Sequence, residues 1–507
     1  SNVLGTLCTF LLPPSIIATL LLYLYAPLLN CGFNHAKPAE AGCMIPGQER
    51  PAVKAQIAPF RLLTFADPQL EGDSSLPDAG GDSFFPSLEN FWTDVRERGI
   101  AAVPGGVVTA ATGLLTHDLL YILQWYRKRL DLWGNDLYLR HVYRSVTYWS
   151  DPTHMVILGD LLGSQHISDA EFQRRSRRFW TGVFKGSKRV PRTITDVSGR
   201  AETLGKDADW KNRIIAVAGN HDIGYAGDIT EHRVQRFEET YGAVNWDIRF
   251  RLDNGTASDS PKKSLFSAFQ FGPAPPELHV VVLNSMNLDS PAKDLDLQSQ
   301  SRDFASEQLH GSGATRPKNS ATLLLTHIPL YKPAGLCTDA EYFDWLPADE
   351  GGGLKEQNLL SLSTSMHILD GLAKSGKALV LNGHDHAGCD TFHYKYRQPA
   401  SESEAEWTVD NYPPFNYPPY RPPPEYYLNP NREPPPEPPH PDTLLAIREI
   451  TVRSMMGSYW GNAGFVSGWF DYEEEQWKFD YNTCFLGVQH IWWGIHVLDL
   501  VTLGLGV

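Results

Sequence analysis

Five polar clusters punctuate the 507-residue chain, each closing an apolar run. They are Asp67 and Gln69 in "ADPQ" (66–69), Asp160 in "GD" (159–160), Asn220, His221 and Asp222 in "GNHD" (219–222), His327 in "TH" (326–327), and His384 and His386 in "GHDH" (383–386). Singly each is ordinary, because Asp and Asn at strand ends commonly make Asx turns. As an ordered series they offer carboxylate, amide and imidazole donors suited to divalent cations. Two such ions about 3.5 Å apart need a shared anion between them, and Asp160 is read as that bridge. Asp67, Gln69, Asp160 and His386 are assigned to one ion, and Asp160, Asn220, His327 and His384 to the other. The chemistry expected is attack on phosphorus by a hydroxide that the two metals activate. His221 stands outside the ligand set as general acid, with Asp222 as its orienting partner.

Gln69 occupies a position where His would be more usual. Its amide oxygen is neutral, as imidazole is, but harder, so the site is expected to favour Mn²⁺ or Mg²⁺ over Zn²⁺. Further candidates stand nearby. Arg453 in "TVRS" (451–454) could grip a phosphate with two donors. Tyr459 and Trp460 would line a sugar-binding groove or simply pack in the core. His166, like His117 and Asp118, is close in sequence to these clusters.

The elements that must hold these residues are legible as strand-like segments: "FRLLTFAD" (60–67), "HMVILGD" (154–160), "RIIAVAGNHD" (213–222), "LHVVVLNS" (278–285), "ATLLLTHIP" (321–329) and "KALVLNGHDH" (377–386). Uninterrupted apolar strands of this kind are covered on both faces. Amphipathic helices are expected over 118–133, 169–184 and 356–376. The reading is a layered α/β domain with ligands at strand C-terminal ends. It runs over 59–399 with a helical insert at 85–148 packed over the core. A Pro/Tyr-rich extended loop fills 400–441, and the chain rejoins the domain over 442–483.

Residues 3–29 carry no charged side chain, a longer stretch than the roughly 20 residues that span a bilayer. A transmembrane helix is therefore expected over 1–29, followed by a connector at 30–58. A second is expected over 484–507, although His490, His496 and Asp499 weigh against it. The N-terminal stretch lacks the basic flank and cleavage site of a signal peptide; with Ser at position 1, the natural start is expected further upstream. A net charge of −15 argues against nucleic acid as a partner. The sequon at Asn254 votes for the lumenal side. Cys31 with Cys43, and Cys337 with Cys389, are candidate disulfides.

In the order and strand context of its clusters, the chain resembles the calcineurin-like metallophosphoesterase superfamily over roughly 58–395. "ADPQ" in place of Asp-x-His, the long insert and the terminal apolar stretches resemble the fungal endoplasmic-reticulum GPI-glycan remodelling phosphodiesterases; "DLYLRHVYRSV" (136–146) and "YWGNAGF" (459–465) also fit. The resemblance implies a layered metallophosphoesterase fold, central β-sheets flanked by helices, with N- and C-terminal transmembrane helices. It implies Asp67, Gln69, Asp160, Asn220, His327, His384 and His386 as ligands of two divalent ions, most simply Mn²⁺, and His221 as catalytic. It implies a lumenal phosphodiesterase removing ethanolamine phosphate from a mannose of the GPI anchor, with GPI-anchored proteins, membrane lipid and ER cargo-export factors as partners. A membrane-anchored protein phosphatase or nucleotide phosphodiesterase, and a non-catalytic cargo scaffold, remain the competing readings.

Overall fold

The computed structural model describes residues 2–34, 57–77, 84–99, 103–252, 274–311, 319–374, 376–396, 406–412 and 444–506. The apolar runs become strands: β1 (Phe60–Phe65), β2 (His154–Leu158), β3 (Lys188–Arg189), β4 (Ala201–Thr203), β5 (Arg213–Val217), β6 (Trp246–Arg251), β7 (Glu277–Val282), β8 (Ser320–Leu325), β9 (Phe343–Trp345), β10 (Leu354–Gln357), β11 (Lys377–Asn382), β12 (Cys389–Tyr396), β13 (Thr408–Asn411), β14 (Leu444–Thr451), β15 (Asn462–Asp471) and β16 (Gln476–Phe485). One sheet has the order β16-β15-β1-β2-β5-β3 and the other β13-β12-β14-β11-β8-β7-β6-β4, while β9 and β10 pair apart. Both sheets are mixed. β1, β2 and β5 run parallel, as do β7, β8, β11 and β14, with antiparallel strands towards the edges.

Side chains alternate between two cores because successive strand residues face opposite ways. Leu62, Val156, Leu158, Leu323, Leu325, Leu379 and Leu381 meet between the sheets. Leu63, Phe65, Met155, Ile157, Leu324 and Val380 turn to the outer faces. There they meet helices α4 (Leu119–Ser150), α5 (Asp169–Arg178), α6 (Glu231–Thr240), α7 (Leu295–Ala305) and α8 (Leu362–Ala373). Burial on both faces is why these strands read as uninterrupted apolar runs.

The insert carries α2 (Pro86–Arg98) and α3 (Val103–Gly113), the latter continuing through a π-turn into α4. The C-terminal half of α4 packs its apolar side chains on the domain through Tyr138, Leu139, Val142 and Val146, while Val107, Val108, Leu115, Leu119, Leu120 and Leu123 are exposed. Among the described residues, two helices are long and apolar enough to cross a membrane, Val3–Leu28 and Val103–Ser150.

The transmembrane helix expected over 484–507 is therefore corrected, since neither span is near the C-terminus. β16 extends to Phe485, which leaves an 18-residue helix, α9 (Gln489–Gly506). Gln489, His490, His496 and Asp499 dilute its apolar character. Asp499 instead accepts hydrogen bonds from Ser15 (2.5 Å) and Thr19 (2.8 Å) on α1 (Asn2–Leu28). Cys31, just beyond α1, is bonded to Cys484 of β16 rather than to Cys43, which lies outside the described residues. Cys337 and Cys389 are joined as expected. Asn254 and most of the Pro/Tyr-rich loop also lie outside the described residues, but that loop contributes Thr408–Asn411 as β13.

Candidate metal centre

Asp67, Asp160, His327 and His384 each stand two residues beyond the last residue of β1, β2, β8 and β11. Asn220, His221 and Asp222 form a short helical turn after β5. All five clusters thus lie along one rim of the sandwich. The backbone there is unusual. Asp67 (φ 50°), Gln69 (43°), Asp160 (51°) and His384 (72°) adopt the left-handed conformation, which costs a non-glycine residue about 1–3 kcal/mol and concentrates at functional sites. Gly159 (φ 90°) is needed for space as well, because a Cβ there would lie 2.1 Å from His327 Nδ1.

The side chains converge. Ligand atoms of Asp67, Asp160 and His327, all buried, lie within 4.8 Å of one another. His327 Nδ1 is 2.7 Å from the Leu158 carbonyl, to which it donates, so Nε2 is left as a lone pair. That lone pair faces Asn220 Oδ1 at 3.0 Å and Asp160 Oδ1 at 3.4 Å. His384 repeats the device: Nε2 donates to the Gln357 carbonyl (2.9 Å), turning Nδ1 towards Asn220 Oδ1 (3.1 Å). Such partners select tautomer and ring orientation in metal-binding histidines. Asp67 Oδ2 is buried with no hydrogen-bond partner among the described residues. Acceptors therefore crowd together with too few protons between them, and these residues fit a divalent cation.

Charge says the same. Burial, reinforced by Asp160, pushes the Asp67 carboxyl well above its ordinary range against the opposing pull of His327. Burial also pushes Asp160 upwards, but His221 and His327 more than offset it and hold the carboxylate ionised. The negative charge of Asp160 then draws His327 up to about 9 despite burial, while burial drives His384 down to about 3. Two adjacent buried carboxylates require a positive charge beside them. A bound cation would supply it.

Gln69 and His386 complete the group. As placed, Gln69 Nε2 donates to Asp160 Oδ2 (2.9 Å) and to His386 Nε2 (3.2 Å). Half a turn of the amide brings its oxygen to the same spot. The His221 backbone N–H donates to Asp160 Oδ1 (2.9 Å), and its ring Nε2 lies 3.7 Å from Asp160 Oδ2. Asp222 does not touch the His221 ring. Its carboxylate accepts from the backbone N–H groups of Leu161, Leu162 and Gly219, so it braces the Asp160 loop, and His221 Nδ1 has no partner among the described residues.

The remaining candidates divide. The Tyr459 ring is 5.0 Å from His386, while Trp460 packs on Phe485. Arg453 follows β14, with its Nε buried and unpartnered among the described residues; its neighbour Ser454 donates its hydroxyl to the Asp67 carbonyl. His166 stands outside the group, beside Arg233 and Asp228. Asp118 is buried but serves the insert, accepting from Ser87.

Sequence reasoning passed over Glu449. This buried carboxylate of β14 accepts from Leu330 N (2.8 Å) and Asn382 Nδ2 (2.7 Å), just beyond His327 and just before His384. Lys332, also buried, pairs with it at 2.9 Å, and His393 Nε2 lies at hydrogen-bond distance, 2.6 Å. The available signal was a charged residue inside an apolar strand, "LLAIREITV" (444–452).

No protein-family model matches the chain. Protein TED1 of Saccharomyces cerevisiae is 28% identical over 476 residues, which cover 83% of this chain and 88% of that protein. Uncharacterized protein C23A1.02c of Schizosaccharomyces pombe is 34% identical over 271 residues, 53% of this chain and 59% of that protein. Metallophosphoesterase 1 of Cricetulus griseus is 23% identical over 297 residues, 56% of this chain and 63% of its own length. The chain thus spans less than two thirds of the latter two. The chain is thus similar over part of its length to a protein named metallophosphoesterase, and its Asp67–Asp160–His327 group is compatible with a calcineurin-like hydrolase mechanism.

Proposed function

We propose that the chain is a Mn²⁺-dependent phosphodiesterase that removes ethanolamine phosphate from a mannose of the GPI-anchor glycan on GPI-anchored proteins, at the ER membrane with its catalytic domain lumenal. The observation that carries the hydrolase reading is the convergence of the His327 and His384 lone pairs on Asn220, Asp160 and Asp67. The substrate class rests on the "ADPQ" variant and on the apolar helix α1 beside the domain. ER cargo-export factors and membrane lipid are the partners that this setting implies.

Two divalent cations held by Asp67, Gln69, Asp160, Asn220, His327, His384 and His386 would supply Lewis-acid polarisation of the phosphoryl group and of the attacking water. The chain's own groups do the rest. His221, with a side chain 36% exposed, can reach solvent and substrate; it donates its proton to the mannose oxygen as the phosphorus–oxygen bond breaks. The Arg453 guanidinium, unpaired among the described residues, takes the phosphate oxygens. Tyr459 and Trp460 offer ring faces to the sugar, and His166 a more distant polar contact.

The test is release of ethanolamine phosphate from a GPI glycan by the purified full chain with Mn²⁺, read by mass spectrometry beside an Asp160→Asn variant. Release that depends on Asp160 supports the reading. Cleavage of a phosphopeptide or a nucleotide diester but not of the glycan would transfer the site to a membrane-anchored protein phosphatase or nucleotide phosphodiesterase. Full cellular function of the Asp160→Asn variant would favour a scaffold.

A further inference from the structure

A cavity of about 640 Å³ lies where the end of α1, the C-terminal half of α4 and the first turns of α9 meet, and none of its lining residues belongs to the metal-ligand cluster. Its walls include Leu24, Leu137 and Trp492. Arg140 and Arg144 also line it, one turn apart on the same face of α4. Neither guanidinium has a hydrogen-bond or ion-pair partner among the described residues, whereas Lys128 and Arg178 nearby are paired with Glu71 and Asp136. Two free cations facing an apolar hollow in a chain of net charge −15 call for an anion with an apolar body.

The position says where that anion comes from. Leu24 is four residues from the end of the Val3–Leu28 span, about 6 Å along a helix axis. That is headgroup depth, where Trp and Tyr collect at bilayer surfaces. Tyr23, Tyr148, Trp149 and Trp492 are gathered there. Trp149 Nε1 donates to the Tyr23 carbonyl (3.3 Å), and the Tyr23 hydroxyl meets His496 Nε2 (3.2 Å), so the three helices are tied around the cavity.

We propose that this cavity holds an anionic phospholipid of the surrounding bilayer, with its phosphate between Arg140 and Arg144 and its upper acyl chain against Leu24, Leu137 and Trp492. The site is independent of the hydrolytic centre, and its test is independent of activity. Full-length protein in nanodiscs of phosphatidylcholine, with or without 20 mol% phosphatidylinositol, is released into detergent, and retained lipid is counted by native mass spectrometry. The expected result is one phosphatidylinositol retained in preference to phosphatidylcholine. Arg140→Gln/Arg144→Gln should weaken retention about 30-fold, taking the usual gain per arginine at an anionic surface. Arg177→Gln, an exposed control on α5, should leave it unchanged.

Equal retention of the two lipids, an unaffected double variant, or displacement by millimolar inorganic phosphate would each overturn the proposal. Should the double variant misfold, bromine-labelled lipids decide with the wild-type chain. Brominated phosphatidylinositol must quench tryptophan fluorescence more than brominated phosphatidylcholine, and equal quenching overturns the proposal.

Discussion

Glu449→Gln should destabilise the fold by about 3 kcal/mol at pH 7. The carboxylate is buried, and burial alone would raise its affinity for protons, but Lys332 and His393 reverse this and hold it at about 2 against an ordinary 4.5. A gap of about 2.5 pH units at 1.36 kcal/mol per unit is about 3 kcal/mol. Removing one member of a buried ion pair costs about 3–5 kcal/mol, because the partner charge is stranded, and Lys332 is such a partner. The folded value is depressed, so the contribution is full above about pH 4.5 and fades as pH falls towards 2. The assay is urea unfolding of wild type and variant at pH 7, 5 and 3.5, followed by tryptophan fluorescence. The difference should be largest at pH 7, nearly as large at pH 5, and visibly smaller at pH 3.5. Lys332→Met in the Glu449→Gln background should recover part of the loss. A variant within about 0.5 kcal/mol of wild type at pH 7, or a gap that acid does not narrow, refutes the reasoning.

Two further outcomes follow from the site. Gly159→Ala places a methyl group 2.1 Å from His327 Nδ1 at a φ of 90°, so metal affinity should fall at least about 10-fold while the circular dichroism spectrum is retained; unchanged affinity would show that His327 is not held where the structure has it. Gln69→His exchanges a hard amide for imidazole beside Asp160 and His386, and competition titration should show preference moving from Mn²⁺ towards Zn²⁺; unchanged selectivity would remove Gln69 from the ligand set.

The convergence of the polar series is legible in the sequence because its members follow apolar strands at short offsets, and parallel strands bring such offsets to one rim. Uninterrupted apolar strands also announce sheets covered on both faces. Other features are not legible for physical reasons. Asp222 looks like a partner for His221 by adjacency, yet its turn aims the carboxylate at the backbone of the Asp160 loop. Cys31 looks nearest to Cys43 in sequence, but α1 ends beside β16 and Cys484. The C-terminal stretch reads as apolar by composition, whereas β16 consumes its start and Asp499 turns to α1. The span in the insert is hidden because its charged C-terminal half, which packs on the domain, interrupts the apolar reading.

The central claim is that the crowded acceptors around Asp160 form a divalent-metal site. Mn²⁺ titration of chelator-treated full-length protein, followed by isothermal calorimetry, tests it most directly. Two equivalents should bind per wild-type chain, and both should be lost in Asp160→Asn. Binding that is absent in the wild type, or unchanged in Asp160→Asn, would contradict it.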